Sequence, residues 1–126
     1  MIRKTRRAYA VSSLFRVRVC VDPRIRDPKK LRHKAHNLRQ AAKLERGYAQ
    51  TALNEAAEEK GRSEKIRWNN PELAQELLWD SKVALLWFRA RLKRADVYDK
   101  IADKLVVKAK EIEKSRRKSQ KKISHK

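Results

Sequence analysis

The sequence predicts a mainly α protein: a long two-helix hairpin, with helices at about residues 28–60 and 71–114, between an extended basic N-terminal arm and a basic C-terminal tail. Three observations lead to this prediction. The 126 residues are rich in Ala, Leu, Lys, Arg and Glu, which favour helices. There are only two glycines and three prolines, and Pro28 and Pro71 each follow a good helix-capping residue. Apolar residues recur at helical spacing on both sides of Pro71.

Residues 1–26 form the basic arm, in which no acidic residue precedes Asp22. Its arginines, lysines and hydroxyl residues are typical of a mitochondrial transit peptide, and the alternative is an arm that threads between RNA helices. Residues 15–21 alternate between apolar and mostly basic side chains, which predicts a short strand near the end of the arm. Asp22 and Pro23 end this strand.

The helical hairpin of residues 27–114 begins with Asp27, which is predicted to cap the first helix. Pro28 fits the first helical position, where its missing N–H costs nothing. The apolar stripe over residues 31–56 is largely alanine, so a partner helix can approach closely. Gly61 is the predicted stop of this helix, and Gly47 either weakens the helix or marks a bend.

The second helix is predicted to start in the same way, with Asn70 as its cap, Pro71 at its first position and Glu72 complementing the helix dipole. Its apolar seam has a mean step of about 3.5 residues, which is typical of a coiled coil. The seam consists of Ala74, Leu78, Ser81, Leu85, Phe88, Leu92, Ala95, Tyr98, Ala102, Leu105, Ala109 and Ile112, with one irregularity between Leu92 and Tyr98. Beyond it, residues 115–126 predict a flexible basic tail that becomes ordered on RNA.

The net charge of +20 is distributed unevenly along the chain. Residues 1–46 carry +12, residues 47–113 carry +1 and residues 114–126 carry +7. A nearly neutral middle can fold without help, whereas blocks of like charge repel until a polyanion neutralises them. The alternative explanation is an ordinary solvated surface, but such a surface usually mixes positive and negative charges. We therefore expect the ends to bind nucleic acid, with an anionic membrane as the main competing partner.

Phosphate contacts are expected from the arm, the first helix and the tail. On the first helix, basic side chains recur at steps of three and four beside the apolar stripe. The predicted RNA-binding residues are Arg3, Lys4, Arg6, Arg7, Arg16, Arg18, Arg24, Arg26, Lys29, Lys30, Arg32, His36, Arg39, Lys43, Arg46, Arg116, Arg117, Lys118, Lys121 and Lys122.

Large aromatic residues extend the apolar surface of the hairpin beyond one stripe. Trp68, Trp79, Trp87 and Phe88 are predicted to dock on a neighbouring protein. Two alternatives stay open: the tryptophans clamp the hairpin and its loop internally, or they stack on an unpaired base.

The sequence shows no persuasive catalytic or metal-binding arrangement. His33 and His36 have no nearby Cys, Asp or Glu to complete a metal site. Cys20 is the only cysteine, so an intramolecular disulfide is excluded, and no local pattern marks it as a nucleophile. We predict no enzymatic activity, no cofactor and no small-molecule substrate. No apolar run approaches the ~18–20 residues that a transmembrane helix needs.

With its transit-like start at residues 1–21, its long helices and its basic tail at residues 116–126, the chain resembles small accessory ribosomal proteins, especially mitochondrial ones. The resemblance implies a structural rRNA-binding protein of the mitochondrial matrix, with basic arms on rRNA and a helical body that docks on neighbouring ribosomal proteins. Residues 31–112 are also similar in texture to the first helical hairpin of ESCRT-III proteins, which implies polymerisation on anionic membranes. A third alternative is an accessory or assembly subunit of a mitochondrial respiratory complex.

Overall fold

The computed structural model describes residues 16–17 and 19–124, with side chains as far as residue 120. Two helices, α1 (Pro28–Ile66) and α2 (Pro71–Ser124), pack against each other as an antiparallel hairpin. The mainly α hairpin predicted from the sequence is confirmed. At 1.5 Å per residue, α1 is about 58 Å long and α2 about 80 Å.

Both predicted helix starts are confirmed. Asp27 has an extended backbone, with φ −83° and ψ 114°, and its Oδ1 accepts a hydrogen bond from the Lys29 N–H at 3.1 Å. Asn70 Oδ1 accepts one from the Leu73 N–H at 3.2 Å. Each cap satisfies a backbone donor that lacks a partner within its own helix.

Both helices end later than predicted. α1 continues through Gly61, which has no positive φ, and ends at Ile66, whose carbonyl accepts hydrogen bonds from the N–H groups of Asn69 and Asn70 at 3.0 and 2.8 Å. α2 continues to Ser124, so the segment predicted as a flexible tail is helical over residues 115–124. No Gly or Pro interrupts this segment, and Lys, Arg and Gln are good helix formers.

The short strand predicted near residues 15–21 is wrong for the described part of that segment, which has no regular secondary structure. A strand needs a partner for its backbone hydrogen bonds, and the two helices offer none. Residues 19–27, termed the strap, lie against the hairpin instead. Lys34 Nζ donates to the Cys20 carbonyl at 3.2 Å and Lys108 Nζ donates to the Pro23 carbonyl at 3.1 Å.

The interface between the helices is lined by small residues at intervals of seven. The buried members are Ala35, Ala42, Ala49, Ala56 and Ser63 on α1, and Ala74, Ser81, Ala95, Ala102 and Ala109 on α2. Ser63 Oγ donates to the Ala74 carbonyl at 2.6 Å, and Ser81 Oγ donates to the Ala56 carbonyl at 2.7 Å. Each hydroxyl crosses the interface, so the two backbones lie within reach of a single serine side chain.

In the first half of α2, the seam runs one residue earlier than the sequence predicts. Leu77 and Leu85 are both half-buried there, and Arg91 meets Glu45 of α1 across the interface. Leu78 is exposed and Ala84 is fully buried. The buried residues of this half are Ala74, Ser81, Val83, Ala84 and Ala90, so burial here is wider than the single predicted stripe. Hydrophobicity alone misses this register because Arg91 occupies a seam position.

The apolar core is thin. Leu31 is the largest side chain that is completely buried among the described residues. It clusters with Ala35, Ala102, Leu105 and Ala109, and the partly buried Val21 and Ile25 of the strap pack against this cluster. The strap thus completes the core at the end of the hairpin where α1 begins.

Candidate nucleic-acid interface

The hairpin separates charge along its length. Residues 47–88, which include the loop between the helices, carry a net charge of −2. Residues 19–46 carry +6 and residues 89–124 carry +9. Because the helices are antiparallel, these two basic segments lie side by side at the end of the hairpin opposite the loop, here termed the open end. The positive potential is therefore concentrated in one half of the molecule.

Three arginines of the predicted RNA-binding stripe are paired across the hairpin with acids of α2. The pairs are Arg32 with Glu113 at 3.0 Å, Arg39 with Asp103 at 3.1 Å, and Arg46 with Asp96 at 3.7 Å and also with Asp99. The three arginines are spaced by seven residues, like the positions that flank a coiled-coil seam. Part of the stripe predicted to bind phosphates thus forms a ladder of exposed ion pairs, each of which contributes little to stability.

Pairing shifts the pKa values of Arg32, Glu113 and Arg46. The hydrogen bond to Glu113 and the charge of that carboxylate raise the pKa of Arg32. The hydrogen bond from Arg32 lowers the pKa of Glu113, and the nearby charges of Arg117 and Lys110 lower it further. The hydrogen bond to Asp99 raises the pKa of Arg46. These shifts favour the charged form of each of the three groups.

The remaining predicted RNA-binding residues of α1 face outward. Lys29, His36 and Lys43 are exposed at intervals of seven, and Lys30 is exposed beside Lys29. Lys29 and Lys30 lie in the first turn of α1, which contains no acidic residue. Positive charges at this end of a helix oppose its dipole, at a cost of about 0.3–1 kcal/mol each at low salt. A bound anion would offset that cost.

The other predicted RNA-binding residues fall at the open end or outside the described residues. Arg16, Arg24 and Arg26 are exposed in or just before the strap, and Arg116, Arg117 and Lys118 are exposed on the part of α2 that extends past the first turn of α1. The residues outside the description are Arg3, Lys4, Arg6, Arg7 and Arg18, together with the side chains of Lys121 and Lys122.

A groove at the open end lies between the strap and the last turns of α2. Its volume is about 470 Å³, and it is lined by Arg26, Lys108, Glu111, Ile112, Ser115 and Arg116. Arg26 and Arg116 are among the RNA-binding residues predicted from the sequence, whereas Lys108 and Ser115 are not. No local pattern reveals them, since Lys108 lies 85 positions from its carbonyl partner Pro23.

A second charged cluster, which was not predicted from the sequence, lies at the seam. Glu45 is only 8% exposed. Arg91 Nη1 donates to its two carboxylate oxygens at 2.9 and 3.2 Å, and Arg94 Nε donates to Oε1 at 3.4 Å. The Arg91 guanidinium also lies 5.0 Å from the ring centroid of Tyr48 and 5.4 Å from that of Trp87. Glu45 is buried and the two arginines are largely covered, so these ion pairs link α1 to α2 at the edge of the seam.

The four predicted docking residues divide into two groups. Trp68 is 82% exposed in the loop between the helices, where the Arg67 guanidinium lies 4.7 Å from its ring centroid. Trp79 is 47% exposed on α2. Trp87 is half-buried and packs on a small cluster of α2, and Phe88 is half-buried in the register of the seam. Trp68 and Trp79 therefore have surface to offer a partner, while Trp87 and Phe88 take part in packing.

Within residues 16–17 and 19–124, no group of three or more His, Cys, Asp or Glu side chains is arranged to hold a metal ion. In the same part of the chain, neither helix contains a stretch that is long and apolar enough to cross a membrane. No protein-family model, curated protein or solved structure matches this chain.

Proposed function

We propose that this protein is a structural RNA-binding component of a large ribonucleoprotein, and that the assembly is a ribosome of mitochondrial type. The observation that supports the proposal most is the convergence of basic side chains at the open end. Residues 19–46 and 89–124 carry net charges of +6 and +9 there, against −2 in the loop half. A polyanion bound across the open end would relieve the repulsion and release its own counterions.

The chemistry of this surface favours phosphates over base edges. Exposed lysines and arginines come from three elements: the strap, the first turn of α1 and the last turns of α2. Such side chains position a protein on a nucleic-acid backbone and carry little sequence information. Folded RNA brings phosphates from different strands close together, which suits a surface whose cations point in several directions.

In this proposal the loop half serves a different partner. The exposed Trp68 and Trp79 dock on a neighbouring ribosomal protein, since large exposed aromatic side chains are common anchors of protein interfaces. The protein acts in the mitochondrial matrix, and it positions RNA and protein without catalysing a reaction.

A binding assay with charge-matched variants tests the RNA contact. Fluorescence anisotropy of the full chain with a folded rRNA fragment, from about 50 to 400 mM KCl, should show a steep loss of affinity with salt and little dependence on RNA sequence. Replacing Lys29, Lys30, Arg116 and Lys118 by Gln should weaken binding by more than about tenfold. Replacing Lys60, Arg62, Lys65 and Arg67 by Gln removes the same charge from the loop half and should change affinity by less than about twofold. Equal losses, or a flat salt response, contradict the proposal.

Sedimentation of an organelle or cell lysate in a sucrose gradient, with and without RNase, tests the assembly. The proposal predicts that the protein sediments with a ribosomal subunit and is released by RNase or by high salt. If it floats with membranes and ignores RNase, the basic surface binds lipid or a membrane complex, and the ESCRT-III-like or respiratory alternative replaces the ribosomal one.

A further inference from the structure

We propose that the groove between the strap and the last turns of α2 is a phosphate-binding site, in which Arg26 and Arg116 hold one phosphate group of an RNA backbone from opposite walls. This inference rests on the proposed function and assigns one of its RNA contacts to a defined groove. The rest of the open end then contributes through diffuse charge.

The lining of the groove has the composition that a phosphate requires. It offers the cations of Arg26, Lys108 and Arg116 and the hydroxyl of Ser115, against the carboxylate of Glu111. The net charge of the lining is therefore +2. Guanidinium groups present two parallel N–H donors that match two phosphate oxygens, and a hydroxyl adds a further donor.

Contacts of the strap with the hairpin hold the backbone around Arg26 in place before any ligand binds. The backbone carbonyl of Asp22 closes a turn by accepting a hydrogen bond from the Ile25 N–H at 3.2 Å. The Ile25 side chain packs against the core. Lys108 Nζ, donating to the Pro23 carbonyl at 3.1 Å, ties the strap to α2. Because the backbone on this wall is already ordered, binding loses less conformational entropy than it would on a free arm.

The position of the groove adds to its positive potential. Arg26 precedes the first residue of α1 by two positions, so the groove adjoins the positive end of the α1 dipole and the exposed Lys29 and Lys30. Arg116 reaches the groove from the opposite helix. Two segments that are remote in sequence therefore converge on one anion site.

A double-mutant cycle separates a shared site from diffuse charge. Arg26→Gln and Arg116→Gln should each weaken RNA binding by about three- to tenfold and lower the salt slope by about one. If both side chains hold the same phosphate, the double variant should be weaker than either single variant by no more than about twofold. Arg117 is the matched control, since it is adjacent and exposed but does not line the groove.

The control variant Arg117→Gln should lose less RNA affinity than Arg116→Gln. In the double variant with Arg26→Gln, the two fold-losses of affinity should multiply. Circular dichroism checks that each variant keeps its helical content. Equal losses of RNA affinity in Arg116→Gln and Arg117→Gln, with fold-losses that multiply in every double variant, would show that no particular phosphate site exists.

An RNA-independent measurement distinguishes failure of the site from failure of the proposed function. The full chain is titrated with inorganic phosphate at constant ionic strength, with chloride as the control, while the arginine Nε–H resonances are followed by NMR. Arg26 and Arg116 should shift more than Arg117. If they shift but the chain does not bind RNA, the site stands and the proposed function fails. If RNA binds but neither resonance responds, the function stands and the site is wrong.

The source of the phosphate is tested with vesicles of phosphatidylcholine and phosphatidylglycerol. Vesicle binding that depends on Arg26 and Arg116 but not on Arg117, without RNA binding, assigns the groove to a lipid headgroup and overturns its assignment to RNA. Absence of vesicle binding under conditions in which RNA binds supports the RNA backbone as the source.

Discussion

Arg91 Nη1 donates to both carboxylate oxygens of Glu45 across the seam of the hairpin, at 2.9 and 3.2 Å. Both residues occupy positions that small or apolar side chains fill elsewhere along the interface. A buried ion pair seldom adds much net stability, but a slipped register would leave both charges buried without partners. We infer that this pair fixes the alignment of α1 against α2, as single polar layers do in coiled coils.

Glu45→Leu tests that inference. The substitution leaves the Arg91 guanidinium half-buried without its carboxylate, and the free energy of unfolding should fall by about 2–4 kcal/mol in urea denaturation. Glu58→Leu, at an exposed position of the same helix, should change it by less than about 0.5 kcal/mol. The double variant Glu45→Leu/Arg91→Leu should recover most of the loss, because Arg91 no longer stands without a carboxylate and Arg94 keeps its hydrogen bond to the Tyr98 hydroxyl. Equal effects of Glu45→Leu and Glu58→Leu would refute the role given to the pair.

Ala102→Leu tests the close approach of the helices. Leucine is more apolar than alanine and nearly as good a helix former, yet at this fully buried position it should lower the free energy of unfolding by about 1–3 kcal/mol or more, because the backbones must separate. Ala57→Leu is the control, since Ala57 is exposed on α1, and it should be close to neutral. Urea denaturation of both variants gives the comparison, and a stabilising Ala102→Leu would contradict the packing described.

Ser81→Ala tests the hydroxyl groups that cross the interface. The substitution removes the hydrogen bond from Ser81 Oγ to the Ala56 carbonyl, and it should lower the free energy of unfolding by about 1 kcal/mol. Ser63→Ala should cost a similar amount, and the two losses should add because the sites share no partner. Thermal and urea unfolding of both single variants and the double variant measure the effect. No loss in any of them would mean that water replaces the hydroxyl without cost.

The ion pair of Arg32 and Glu113 makes stability depend on pH in acid. The pKa of Glu113 is lowered in the folded chain by the hydrogen bond from Arg32, so its contribution is present above the unfolded pKa of the carboxyl. That contribution is lost as the pH falls through the lower, folded pKa. Melting temperatures should therefore differ between the natural chain and Glu113→Gln near neutral pH, and the difference should shrink towards zero in acid. A difference that does not change with pH would argue against the pair.

The end of α2 should respond to salt and to RNA. Lys114 and Lys118 are four residues apart, as are Arg117 and Lys121, and like charges at this spacing destabilise a helix. The helicity of residues 115–124 should therefore rise when RNA or salt neutralises these charges. Backbone ¹³Cα chemical shifts of this segment, measured with and without an rRNA fragment, report the change. Shifts that stay the same would mean that the helix forms without help from a polyanion.

The local features of the fold were accessible to sequence reasoning, and its long-range features were not. Asp27 with Pro28, and Asn70 with Pro71, identify the helix starts because capping depends on neighbouring residues only. Gly61 does not end α1, because packing against α2 supports the helix beyond it. The predicted register of α2 is wrong near Arg91, since Arg91 pairs with Glu45, which is 46 residues away in the sequence.

The candidate interface was predictable to a similar extent. Net charge locates the basic segments, but it does not show that Arg32, Arg39 and Arg46 meet acids of α2. Their seven-residue spacing, together with the acids of the second helix, was the one pattern that could have indicated these ion pairs. The groove had no signal of its own, because Arg26 and Arg116 come together only when the hairpin and the strap have formed.

The alanine seam also determines how far apart the protein can hold two other molecules. Because the helices touch along the whole of α1, the hairpin is a narrow strut whose length is set by the number of residues and not by side-chain volume. A phosphate bound beside the strap and a protein surface bound at Trp68 would be kept about 55–60 Å apart. Under the proposed function, the hairpin is a molecular spacer of fixed length, and shortening both helices by one heptad should bring the two partners about 10 Å closer.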